Sequence, residues 1–175
     1  MRFSPQDETI CIYVIPDFCK RSPECCCSVS SNNRFGENKT MKDFDTFGVM
    51  IDMSRNAVMS IEGLKRFLPL LKSMGYHCVM LYMEDTYEVD GEPYFGYMRG
   101  RYSKAEMKEI DRIAGRLGMQ VIPCIQTLAH LPMALRWGKI PVDCDNILLA
   151  DDPRTYELIE HMFSTLSECF ASRRI

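Results

Sequence analysis

No apolar run in this sequence approaches the ~18 residues that a membrane-spanning helix needs. The stretch from Ile10 to Ile15 is too short for the core of a secretion signal. A cytoplasmic chain with no membrane partner is therefore expected. Basic charge is also scarce: 21 Lys and Arg against 24 Asp and Glu give a net charge of −3, with no basic patch. Nucleic-acid phosphates would find no electrostatic footprint. Only one tryptophan and three histidines are present. Cysteine is the exception, with nine. An odd number without a signal peptide argues against a disulfide framework. The run Cys25-Cys26-Cys27 lacks the C-x-x-C spacing that lets two thiolates reach one zinc ion. With Cys11 and Cys19 it lies in residues 1–45, where no hydrophobic period is sustained and turn compositions recur at Ser28–Asn33 and Gly36–Lys39. This segment is expected to be irregular and to hold no metal.

What remains is ordinary globular material, 46% hydrophobic and 26% charged. Regularity begins near Phe47. Gly48-Val49-Met50-Ile51 has the short apolar form of a buried parallel strand. Ile61, Leu64, Phe67, Leu68, Leu71 and Met74 then recur at helical spacing, with Pro69 expected to kink or restart the helix and Gly75 to end it. His77–Tyr82 reads as a second strand, followed by a long polar and aromatic loop from Glu84 to Tyr102. Ser103 and Glu106 form a capping box for a helix that buries Met107, Ile110, Ile113, Ala114 and Leu117, closed by Gly118. Gln120–Ile125 is a third strand, although Pro123 is unusual for a central one. After a loop through Trp137, Asp152-Pro153 opens a helix that uses Tyr156, Ile159, Met162, Phe163, Leu166 and Phe170. Cys78 and Cys124 fall within strands and are expected to pack as small hydrophobes.

Three βα units in succession predict an α/β fold with a parallel sheet, either doubly wound or part of a barrel. A complete (β/α)8 barrel takes ~250 residues. In such folds chemistry gathers at the C-terminal ends of the strands. There the sequence places Asp52, Ser54 and Arg55 after the first strand, Glu84 and Asp85 after the second, and Gln126 and His130 after the third. Each has a plain alternative. Asp52 and Arg55 make a local ion pair, Glu84-Asp85 starts a solvated loop, His130 is a satisfied loop histidine, and Trp137 is core. The rings of Pro93-Tyr94-Phe95-Gly96-Tyr97-Met98 either wall a pocket or form a small core within their own loop.

Taken together, several stretches resemble glycoside hydrolase family 20, the exo-β-N-acetylhexosaminidases, over about residues 45–175. Gly48–Arg55 is similar to that family's first barrel strand, and Leu81–Tyr87 to its second strand end, which carries an aspartate. Gly100-Arg101-Tyr102-Ser103 is similar to the G-x-Y-S before its second helix. Leu117–Pro123 with His130 is similar to its third strand and following loop histidine. The wording of Glu84–Val89 and Pro93–Tyr102 lies nearest the cytoplasmic bacterial branch of the family.

The resemblance implies an incomplete (β/α)8 barrel over residues 46–175 that stops where a fourth strand would start. It implies retaining hydrolysis of terminal β-linked GlcNAc or GalNAc, assisted by the substrate's own acetamido oxygen. No cofactor or metal is implied. By position Asp85 and His130 match the supporting relay, in which an aspartate holds a histidine against the catalytic acid, and a hydrogen-bonded Asp85–His130 pair is expected. Asp52, Arg55, Glu84, Tyr97 and Trp137 are the expected sugar-binding residues. The family's catalytic Asp-Glu pair, in an H-x-G-x-D-E motif, has no counterpart in these 175 residues. Phe47 stands where the family commonly has a sugar-binding arginine. Two other readings stay open: an inactive truncated remnant or partial gene product, and a metal-dependent barrel enzyme such as a sugar isomerase, with Asp52, Glu84, Asp85 and His130 as ligands. An open barrel edge would also favour oligomers or aggregates.

Overall fold

The computed structural model describes residues 12–15, 46–55, 58–138 and 140–175. Three parallel strands form its centre: β2 (Gly48–Asp52), β3 (Cys78–Tyr82) and β4 (Gln120–Cys124), with β1 (Ile12–Ile15) antiparallel on the outer edge of β2. The strands are joined through helices α1 (Ile61–Ser73) and α2 (Lys104–Arg116). After β4 come α3 (Pro132–Leu135), a small hairpin of β5 (Val142–Cys144) and β6 (Ile147–Leu148), and helix α4 (Pro153–Cys169). The expected α/β architecture with a parallel sheet is therefore present.

Side-chain alternation divides this sheet sharply. Val49, Val79 and Val121 lie in register, as do Ile51, Leu81 and Pro123. All six are buried and belong to the face that period-two geometry turns the same way. The valines, Ile51 and Leu81 join the apolar faces of α1 (Leu64, Leu68, Leu71), α2 (Met107, Ile110, Ala114) and α4 (Leu158, Met162, Leu166) in one core. Each such side chain contributes roughly 1.5–3 kcal/mol by leaving water. The opposite face carries Met50, Met80, Asp52, Tyr82 and Cys124, which are half-buried, together with buried Ile122. Polar groups at the strand ends are therefore accessible on this second face.

Local chemistry sets the helix boundaries. Ser60 accepts a hydrogen bond from the Gly63 amide (3.1 Å) at the start of α1. At α2 the Ser103–Glu106 capping box forms in both directions. Asp152 caps α4 through the Arg154 amide (2.9 Å), with Pro153 at the first helical position. Pro69 does not restart α1, which runs continuously from Ile61 to Ser73. Pro123 suits β4 because of which edge it faces. The Gln120 amide donates to His77 on the β3 side, so alternate residues 121 and 123 direct their amides away from β3. Among the described strands that side has no partner, and proline's missing N–H costs no ladder bond there.

Residues 1–45 were expected to lack regular structure, yet Ile12–Ile15 pairs with Ile51–Gly48 as a strand. Cys11, Cys19 and Cys25–Cys27 lie outside the described residues. Cys78 and Cys169 are buried and Cys124 is half-buried, in keeping with small packing groups, while Cys144 is exposed.

Candidate active site

The last residues of β2, β3 and β4, Asp52, Tyr82 and Cys124, stand side by side in register. From this rim a chain of polar contacts crosses all three strand ends. The Gln126 amide, just beyond β4, donates to the Tyr82 hydroxyl (2.7 Å), and that hydroxyl donates to Glu84 Oε1 (3.1 Å). Arg55, beyond β2, closes an ion pair on Glu84 at 3.0 Å. Burial raises the Tyr82 phenol above its usual pKa, the Gln126 bond opposes this, and the Glu84 charge adds to the rise. Tyr82 thus remains a protonated donor at neutral pH.

Glu84 is 4% exposed, so the expectation of a solvated acidic loop start does not hold for it. Its backbone has φ +50°, in the left-handed region, which side chains with a Cβ seldom occupy. This turn folds the carboxylate back onto Tyr82 and Arg55. The local Asp52–Arg55 ion pair is likewise not formed. Asp52 Oδ1 instead accepts from the amide and hydroxyl of Ser54 (2.8 and 2.7 Å), a tight turn of the kind aspartate favours. Arg55 is left to reach the deeper carboxylate, where a charge-assisted bond to a nearly water-free partner is stronger.

Asp85 is 2% exposed and takes its partner from the long loop: Arg99 Nε donates to Asp85 Oδ1 at 3.1 Å. The same guanidinium donates to the Ser54 carbonyl oxygen. One arginine thus bridges the ends of β2 and β3. Asp85 Oδ2 is buried and has no donor among the described residues. His130 is exposed, at φ +59°, and forms no hydrogen bond or ion pair among the described residues. The expected Asp85–His130 pair is therefore absent: Arg99, a permanent cation, occupies the aspartate, and the left-handed turn at His130 leaves its ring in solvent. The nearby phenol of Tyr87 is fully buried, and burial, followed by the Asp85 charge, raises its pKa well above the usual value.

Tyr97 and Trp137 are brought together, though at some remove from the carboxylates in sequence. Their centroids lie 5.2 Å apart at 75°, with Tyr94 packed against both. Trp137 is half-buried between exposed tyrosines and is not part of the main core. Phe47, in the place of the family arginine, stacks on Tyr76 (4.4 Å, 7° between planes). Among the described residues no group of three or more His, Cys, Asp or Glu is gathered as a metal would require. The ligand set Asp52, Glu84, Asp85 and His130 is thus not assembled: Asp52 and Asp85 are engaged by Ser54 and Arg99, and His130 is exposed.

Sequence reasoning passed over Tyr82 and Arg99. Tyr82 was legible as the last residue of its strand, on the same face as Asp52. Arg99 was not, because its partners lie 14 and 45 residues away and only the folded loop selects them.

No family model matches the chain. Human Hexosaminidase D is 28% identical over 82 residues, 47% of this chain and 17% of the human protein. Bovine Hexosaminidase D is 29% identical over 73 residues, 42% of this chain and 21% of that protein. The aligned part is thus about a fifth or less of these curated relatives. Among solved structures, the GH20 β-N-acetylhexosaminidase from Streptomyces coelicolor A3(2) superposes with a TM-score of 0.63 at 22% identity, covering 72% of this chain and 31% of that one. The GH20 exo-β-N-acetylglucosaminidase from Vibrio harveyi, in complex with N-acetylglucosamine, gives 0.63 at 19% identity, over 71% and 26% of the two chains. At these identities the structural likeness is one of fold. In fold over some seven-tenths of its length, and in sequence over a shorter stretch, this chain resembles part of the GH20 β-N-acetylhexosaminidases.

Proposed function

We propose that residues 46–175 supply the first three βα units of a (β/α)8 barrel that removes terminal β-linked GlcNAc or GalNAc. The observation that carries this reading is the polar rim. Arg55, Glu84, Tyr82 and Gln126 form one hydrogen-bonded set at the C-terminal ends of three parallel strands, on a fold shared with GH20 enzymes. Active sites in (β/α)8 barrels lie at that end.

In this role Arg55 and Glu84 bind sugar hydroxyls, one donating and one accepting, and Asp52 holds the turn that presents Arg55. Asp85 is the carboxylate of the supporting relay. Its buried Oδ2, which has no donor among the described residues, is the acceptor such a relay needs. The chemical step is substrate-assisted: the acetamido oxygen attacks the anomeric carbon, and water later opens the resulting ring with net retention. The acid and the acetamido-orienting carboxylate are not among these 175 residues.

The test is the product of the coding region continued past Ile175, assayed on a chromogenic β-GlcNAc substrate with the released sugar followed by NMR. Turnover releasing β-configured GlcNAc first is expected. An inverted product, or a folded longer protein without turnover, would refute the reading. The 175-residue chain alone is expected to show none, and sustained turnover by it would equally refute the assignment.

A further inference from the structure

The loop between β3 and α2 is built to hold aromatic side chains outward. Phe95 is buried edge-on against Tyr87 (5.2 Å), which fastens the loop from beneath. Its neighbours Tyr94 and Tyr97 are 41% and 48% exposed. Gly96, between them, has φ +66° and lies so close to the Asp85 carbonyl that a Cβ there would overlap its oxygen. Arg99 ties the end of the segment to Asp85 and Ser54, and Arg101 donates to the Pro93 and Phe95 carbonyls. The loop therefore rests directly on the residues beside the polar rim.

Trp137 reaches the same place from the loop after β4. Its ring lies 5.8 Å from Tyr94 and 5.2 Å from Tyr97. Its Nε1 is buried, so the part of the indole that meets solvent is carbon. Arg136 lies over it at 5.7 Å. Three rings from two loops, at mixed angles and partly bare, are more than the scattered exposed apolar residues of an ordinary surface.

We propose that Tyr94, Tyr97 and Trp137 form a stacking platform for a second pyranose ring of an uncharged oligosaccharide, next to the sugar held at the polar rim. The electron-rich ring faces attract the partly positive axial C–H groups on one face of a pyranose. The platform is continuous with the rim through the Gly96–Asp85 contact, as one oligosaccharide spanning both would need. A protein partner would want a broader aliphatic patch, whereas the segment offers only Met98 beside the rings. This inference rests on the proposed glycosidase reading for its position, and on the aromatic geometry for its ligand.

Because Trp137 is the only tryptophan, its fluorescence reports on the platform alone. The purified chain is titrated with chitotriose, cellotriose, GlcNAc and glucose. Both trisaccharides should perturb Trp137 saturably, with about tenfold higher affinity than either monosaccharide. Tyr97→Ala should remove that advantage, while Met98→Ala, on the same loop and 84% exposed, should keep it. Trisaccharides that bind no more tightly than monosaccharides, or a Tyr97→Ala protein with unchanged affinity, would overturn the platform. So would a Tyr97→Ala protein that changes its oligomeric state by light scattering and not its sugar binding, because the rings would then serve self-association. Cellotriose lacks the acetamido group, so its binding tests the platform independently of the hexosaminide assignment, which stands or falls on turnover.

Discussion

Gly96 and Gly100 provide an internally controlled measurement of how tightly the aromatic loop is seated. Both occupy the left-handed region at nearly the same angle, φ +66° and +65°. Around Gly100 no atom of the described residues lies within 4 Å of where a Cβ would stand, whereas at Gly96 a Cβ would overlap the Asp85 carbonyl oxygen and crowd the Arg101 side chain. Gly100→Ala therefore pays only the conformational cost, about 1 kcal/mol. Gly96→Ala pays the same and must also push the loop off the end of β3, which by analogy with overpacked cores adds about 1–3 kcal/mol. The difference corresponds to roughly 3–10 °C in Tm for a chain of this size. Urea unfolding followed by both Trp137 emission and far-UV circular dichroism measures it, with coincident transitions establishing two-state behaviour. Gly96→Ala should also shift native Trp137 emission, because the displaced loop carries Tyr94 and Tyr97. Equal destabilisation of the two variants, within about 0.5 kcal/mol, would show that the loop is not seated as described.

Removing Arg99 leaves the Asp85 carboxylate buried without a cation, so Arg99→Ala should cost about 3–5 kcal/mol. Arg99→Lys should recover only part of it, since lysine cannot bridge Asp85 and Ser54 with a planar fork; full recovery would contradict the bridging role. Burial pushes the Cys124 thiol up to about 11, with the charge of Cys78 adding to the rise. In peptide-mapped alkylation Cys124 should therefore stay nearly unlabelled at pH 8, when exposed Cys144 is already modified. The sign follows from linkage: between an unfolded thiol's pKa near 8.5 and about 11 the unfolded chain has lost the proton that the folded chain keeps, so this group's contribution to stability declines as pH rises through that window.

The parts legible in the sequence were those governed by neighbours within a few residues. Ser103 and Glu106 announced a capping box because both its hydrogen bonds span three residues. Asp152-Pro153 announced a helix start for the same reason. The alternation of Val49 with Ile51, and of Val79 with Leu81, marked strands whose buried face needs nothing remote to identify it. The failures were decided at a distance. Strand β1 exists by pairing with β2, and its four residues carry no period that would reveal a strand alone. Arg55 bypassed Asp52, three residues away, for Glu84, 29 residues away, because a buried carboxylate beside Tyr82 is the stronger partner. Asp85 was placed correctly at a strand end and given the wrong neighbour. The competition between Arg99 and His130 depends on how an entire loop folds.

The backbone at Glu84 constrains how this position can change over evolution. A φ of +50° favours glycine, asparagine or aspartate. The contacts with Arg55 and Tyr82 ask instead for a carboxylate on a two-carbon stem. No residue meets both demands well. The residues that relax the turn lose the reach, and most that keep the length lose the charge that balances Arg55. Position 84 should thus sit at an isolated optimum. A saturation library selected for folded protein should return small, flexible residues there, while one selected for sugar handling should return glutamate alone. The gap between the two libraries would measure what the site asks of the fold.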